Sequence, residues 1–151
     1  MRAPYPLSIS AGELMSVHLQ LVGVDIGAWL GLLSESAVVE FPYAPSLGYP
    51  TRIEGIAAIT ELMNATASRF DPFRFTDISI NPCEQQDQVW ARFHGEAFVP
   101  ETQKLYSQDY AAFMRVQDGK IVHYREYWNP CNFADALNLP LKLAGSGRVD
   151  K

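Results

Sequence analysis

Cysteine is scarce. The 151-residue chain has two, Cys83 and Cys131, and they form no CxxC pair. A disulfide framework is thereby excluded, and both are expected to be free thiols. The three histidines, His18, His94 and His123, stand at no metal-ligand spacing, so no metal site is expected. Charge is also sparse, at 19% of residues with a net of −5. That balance lacks the basic surface an electrostatic nucleic-acid binder needs. No apolar run reaches the roughly 18 residues of a membrane span. Residues 1–6 hold no apolar signal core, so a cytoplasmic protein is expected. No GxGxxG, Walker or GxSxG pattern occurs, and no cofactor is expected.

What is present is an ordinary globular composition, 48% apolar, which excludes wholesale disorder. A chain of this length buries about 70% of its unfolded surface without a staple. Residues 1–151 read as one domain, with 1–6 and 144–151 expected to be flexible.

Helices come first. Ser10-Ala11-Gly12-Glu13 is a capping box, opening a helix that carries Leu14, Val17 and Leu21 at helical spacing. Gly23 ends it. Asp25 can cap a second, short helix containing Ile26, Trp29, Leu30 and Leu33. A strand over 37–41 stops at Pro42, and 42–52, rich in Pro, Gly and Tyr, reads as a loop. A third helix runs from about 54 to 69, with Ile56, Ile59, Leu62 and Met63 on one face. The second half reads as strands over 73–80, 89–99, 105–116 and 121–129. Gln117-Asp118-Gly119-Lys120 makes the last hairpin. This order predicts an α+β fold, with helices on one face of a curved antiparallel sheet and a pocket between.

The last strand carries the informative carboxylate. Alternate residues share a face, so Val122, Tyr124, Glu126 and Trp128 fall together. If that set faces the helices, Glu126 is a carboxyl in an apolar pocket. Desolvation then raises its pKa and suits it to moving protons near neutrality. Two hairpin registers are open. With a glycine bulge, Tyr106, Gln108, Tyr110, Ala112 and Met114 share the Glu126 face. With a plain two-residue turn, Asp109 joins Glu126 instead, as a carboxylate dyad. The first is favoured, because it makes a mostly apolar and aromatic wall. An exposed, ion-paired Glu126 is the alternative to both. His18 reads first as a core or surface histidine. His94 and Glu96 fall on a face expected to meet solvent or another subunit, and Glu40 is expected to be exposed.

Asp118-Gly119-Lys120-Ile121 followed by Arg125-Glu126-Tyr127-Trp128-Asn129-Pro130 resembles the nuclear transport factor 2-like superfamily, in its SnoaL-like and ketosteroid-isomerase-related branch. The nearest match is the phenazine biosynthesis protein A/B family, over 53–80, 90–95 and 106–140. The resemblance implies a cone-shaped α+β barrel, its curved antiparallel sheet wrapped around three N-terminal helices and an internal pocket. It also implies a homodimer formed through the sheet. Glu126 matches that family's acid/base glutamate. Leu62 and Thr66 stand where the family has a histidine and a serine on the third helix. Ala28-Trp29-Leu30 replaces its binding arginine. The ketosteroid isomerases' general-base aspartate is replaced by Phe41. Their helix-1 tyrosine falls near Val17, and their late-strand aspartate near Ala112.

The expected function is cofactor-independent acid/base catalysis by Glu126, of isomerase, dehydratase, cyclase or condensing type. The substrate is a small, largely apolar cyclic metabolite. Tyr110, Tyr124 and Thr66 orient it, Trp128 forms a wall, and Leu62, Met114 and Val17 complete the lining. Two rivals are a non-catalytic small-molecule-binding or accessory protein and an interaction module with a filled core. The 42–50 loop, with Tyr43 and Tyr49, serves as a lid or as a docking loop.

Overall fold

The computed structural model describes residues 9–142. The terminal segments expected to be flexible, 1–6 and 144–151, lie outside the described residues. Helix α1 (Ala11–Leu21) starts as its capping box predicts, with Ser10 Oγ accepting from the Glu13 backbone N–H at 3.1 Å. Asp25 caps α2 (Ile26–Leu30) by accepting from Ala28 N–H at 3.0 Å. The two helices are joined through Gly23, whose φ of 76° favours glycine.

Strand β1 (Leu33–Glu40) follows, so Leu33 opens a strand rather than closing a helix. The 42–52 segment is a loop with a 3-10 turn (Ala44–Leu47), and it leads into a short strand, β2 (Arg52–Glu54). Then come α3 (Ile56–Ala67), β3 (Arg74–Pro82), β4 (Gln88–Val99), β5 (Lys104–Gln117), β6 (Lys120–Tyr127) and α4 (Pro130–Leu137).

The six strands form one curved sheet in the order β2-β1-β6-β5-β4-β3. The architecture is the expected α+β one, with three departures in detail. β2 is a sixth strand, formed where the loop and the third helix are expected to meet. β1 lies parallel to β6, because the chain returns to the first strand from the far side of the sheet. A fourth helix also follows the sheet. Asn129 caps it, accepting from Cys131 N–H at 2.9 Å, and Pro130 fills its first turn.

Helix α1 packs over β3, β4 and β5, α3 against β1 and β2, and α4 against β5. The buried set that fills the concave side includes Leu14, Met15, Ile59, Val89, Met114 and Ile121. Gly95 on β4 is required by close packing. A Cβ there would sit 2.9 Å from the Phe75 ring and 3.0 Å from that of Tyr110. These two rings form part of the cavity wall.

The β5–β6 hairpin decides which way Glu126 points. Asp118 and Gly119 both have positive φ, and Gln117 faces Lys120, so the turn itself has two residues. A bulge then falls between the Val116–Ile121 and Arg115–His123 pairs. The extra residue, Val122, flips the parity of the rest of the strand. Ala112 therefore faces Glu126, and Met114 faces Tyr124. This is the favoured register, reached through a two-residue turn plus a bulge rather than through a bulged turn.

Candidate active site

A cavity of about 150 Å³ lies between the helices and the concave face of the sheet. A void of that size holds one benzene ring in another protein. Its wall is built mainly from aromatic and aliphatic side chains. Phe70, Phe73 and Phe75 come from the segment after α3 and from β3. Tyr106, Tyr110, Tyr124 and Trp128 come from the sheet and its exit, and Leu62, Met63 and Thr66 from α3. Phe133 of α4 stacks on Trp128 with ring centroids 5.6 Å apart, so the unforeseen helix closes one end. Tyr49 and Pro50 of the 42–52 loop also face the cavity, whereas Tyr43 is 49% exposed and packs edge-on against Tyr127.

Glu126 is the only carboxylate in this wall among the described residues, and no lysine or arginine lines it. Its Oε2 accepts from the Tyr124 hydroxyl at 2.6 Å. Burial pushes the Glu126 carboxyl up to about 7, against the smaller downward pull of the Tyr124 hydrogen bond. Tyr124 is itself held well above the ordinary phenol range, by burial and by the neighbouring carboxylate. Near neutrality Glu126 is therefore a carboxyl poised between its two protonation states, the condition for exchanging a proton in either direction.

The supporting shell is hydrogen-bonded. Tyr110 Oη donates to Tyr106 Oη at 3.3 Å, and Gln108 Nε2 donates to the same oxygen at 3.1 Å. Gln108 is fully buried. It also donates to the Asn129 carbonyl at 2.8 Å and accepts from the Asn129 N–H at 3.1 Å. That bidentate clasp fixes the chain where β6 ends, and so fixes Trp128.

Tyr110, Tyr124, Trp128, Thr66 and Leu62 thus stand in the wall with Glu126. Two expected lining residues do not. Met114 shares the strand face of Tyr110 but lies four residues along it, about 13 Å away, and is fully buried in the core. Val17 is the neighbour of His18 on α1 and packs at the edge of the core, about 100° around the helix. Thr66 is in the wall, but its hydroxyl donates to the Leu62 carbonyl at 2.9 Å. Its proton is spent within the helix.

His18 is the wall residue that the sequence undervalued. It is 1% exposed, and its Nδ1 accepts from the Trp29 indole N–H at 2.8 Å. Its ring lies 4.5 Å from that of Tyr124. Burial pushes its pKa down to about 3, so the imidazole is neutral. Only the pairing of α1 with α2 in space reveals this, since eleven residues separate the partners along the chain.

Glu40, expected to be exposed, is 8% exposed. It lies on the convex side of the sheet, where it accepts from His123 and, at 3.2 Å, from Arg125. Burial raises its pKa, but hydrogen bonds to His123 and Arg125 more than offset this, and the net shift is downward. On the same side His94 Nδ1 meets Asp109 at 2.8 Å and Nε2 meets the Ser107 hydroxyl at 3.1 Å. Hydrogen bonds to Asp109 and Glu96 raise the His94 pKa. The ring is therefore held toward its protonated form, which disfavours general-base action on Ser107.

Comparison with known proteins bears on the family and the fold. Residues 21–124 match the SnoaL-like domain model. The uncharacterised protein YesE of Bacillus subtilis is 40% identical over 113 residues, covering 75% of this chain and 76% of that one. An uncharacterised PhzA/B-like protein of Pseudomonas aeruginosa is 33% identical over 130 residues, covering 85% and 91%. Among solved structures, an isomerase candidate from Bacillus subtilis superposes with a TM-score of 0.77 at 35% identity, covering 85% and 92%. A candidate polyketide cyclase from Pseudomonas putida shares the fold, with a TM-score of 0.71 at 22% identity, covering 85% and 98%. No helix among the described residues is long and apolar enough to cross a membrane. By the extent of the domain match and by its relatives, the chain belongs to the SnoaL-like domain family.

Proposed function

We propose that the protein is a cofactor-independent acid/base enzyme of the isomerase, dehydratase, cyclase or condensing type. It acts on a small, largely apolar, single-ring metabolite bound in the cavity. The observation that carries this is a lone carboxyl, Glu126, pushed up to about 7 inside an apolar wall and hydrogen-bonded by Tyr124 at 2.6 Å. As carboxylate, Glu126 takes a proton from one ring position. As acid, it returns that proton to another, with Tyr124 steadying the charged form. Aromatic walls from Trp128, Tyr110 and Phe75 hold the ring flat and exclude water. Membership of the SnoaL-like family, and isomerase and cyclase candidates among the structural neighbours, support this class.

The test is deuterium wash-in. Single-ring ketones are incubated in D2O with wild-type protein and with Glu126→Gln, and label gained at carbon is read by mass spectrometry. Wild-type exchange that vanishes in the variant supports the reading. Exchange equal to buffer alone, with the rings still bound, favours the non-catalytic binding protein. The commitment of the Thr66 proton to Leu62 is the observation on that side.

Two copies are further proposed to pair through the convex face of the sheet. Trp90, 40% exposed, stacks there near Tyr127 and packs on Phe113. Such an aromatic stripe is typical of interface cores.

A further inference from the structure

The Trp29 indole nitrogen can only donate a hydrogen bond. It donates to His18 Nδ1 at 2.8 Å, so Nδ1 carries the lone pair. A neutral imidazole then carries its proton on the other nitrogen, and Nε2 is a donor. That donor is shielded from solvent and has no hydrogen-bond partner among the described residues. A buried donor left unpaired is costly, and native structures seldom keep one without a use. His18 lines the same cavity as Glu126. Tyr124 stands between them, its hydroxyl on Glu126 at 2.6 Å and its ring 4.5 Å from the imidazole.

Resting on the reading of the cavity as a ligand site, we infer that its ligand is an uncharged ring bearing an acceptor oxygen, which takes the hydrogen bond offered by His18 Nε2–H. The absence of lysine and arginine from the described wall leaves an anionic ligand without a counter-charge, and Glu126 repels it further. Burial keeps His18 neutral, so the donor is a dipole, matched to a carbonyl or ether oxygen rather than to a carboxylate. Trp29 is then a positioning residue. It fixes the tautomer and the ring orientation without itself pairing with the ligand. The rival use of this proton is a weak contact with the face of the Tyr124 ring, 51° from the imidazole plane, which is purely structural.

Binding of 2-cyclohexenone and of cyclohexene, a ring of the same size without the oxygen, separates the two uses. The readout is NMR titration of protein labelled with 15N in histidine. The ketone is expected to bind about tenfold more tightly than the hydrocarbon, the worth of one hydrogen bond. His18→Phe is expected to erase that preference, so that the variant binds the ketone and the hydrocarbon with equal affinity. Trp29→Phe is expected to weaken it, because the tautomer is released. In the wild-type protein the His18 Nε2–H signal should move with the ketone and stay still with cyclohexene, a result that needs no variant to fold. Equal affinity for the two rings, or a proton found on Nδ1, overturns the assignment while leaving Glu126-dependent deuterium exchange intact. Binding of neither ring overturns the cavity as a ligand site, and this inference with it.

Discussion

Glu126 and Glu40 sit on neighbouring strands of one sheet, with Glu40 paired to Arg125, the residue next to Glu126. They point to opposite faces, and their carboxyls are pushed in opposite directions. On the concave face Glu126 meets aromatic rings and one hydroxyl, and its pKa rises to about 7. On the convex face Glu40 meets His123 and Arg125, and its pKa falls. Both are shielded from water, so burial alone does not set the direction. What differs is whether a cation shares the site. A desolvated carboxylate with a cation is a structural ion pair held ionised, and one without keeps its proton toward neutrality.

The largest expected effect comes from removing the unpaired member. Glu126→Gln should lower deuterium exchange into a ring ketone at least ~100-fold, the usual weight of a general acid/base. It should also change the pH dependence of stability. The folded-state pKa of about 7 lies above the ordinary 4.5, so the folded state holds the proton longer than the unfolded state. Wild-type stability should fall as pH rises from 4.5 through 7, by up to ~3 kcal/mol. The variant should lack that loss, read as urea denaturation at pH 5 and pH 8.

Glu40→Gln should act in the opposite sense. It should cost about 2 kcal/mol at pH 7, the worth of charge-assisted hydrogen bonds, and leave exchange nearly unchanged. The Glu40 contribution is present above the ordinary carboxylate pKa and lost as pH falls through its lowered value. The variant should therefore lose the part of the acid-side destabilisation that the wild type shows. Equal pH slopes in the two variants would break the comparison.

Tyr124→Phe sharpens it. The Tyr124 hydroxyl is the one hydrogen bond that lowers the Glu126 pKa. Its removal should move the Glu126 limb of the pH–exchange profile upward by roughly one unit. The smallest effect on fold stability is expected on the convex side. Trp90→Lys should cost about 1 kcal/mol of unfolding free energy, the worth of its aromatic contacts with Phe113 and Tyr127. It should also convert the proposed dimer to monomer in sedimentation velocity.

Much of the frame was legible in the chain. Ser10 and Asp25 announce two helix starts, because a side-chain oxygen three residues before an N–H has a single local use. Period-two alternation locates β3 to β6 and puts Tyr124, Glu126 and Trp128 on one face. Helix α4 is hidden in the sequence because Asn129 and Pro130 look like a strand terminator, although together they also make a good cap and first turn. The bulge at Val122 is not legible in the turn sequence, which permits either parity; the favoured register rests on the aromatic wall it makes, with the bulge expected in the turn itself.

By itself the sequence determined the α+β order, the helix caps and the run of strands, all of which rest on neighbours within a few residues. It also made Glu126 the carboxyl most in need of explanation, an acid among Val, Tyr and Trp. Only the tertiary structure decided its surroundings. The parity of β6, the fate of Glu40 and the pairing of His18 with Trp29 each depend on groups brought together from distant positions. A pKa, a tautomer or an ion pair is a property of such surroundings, and the linear chain holds no record of them until it folds.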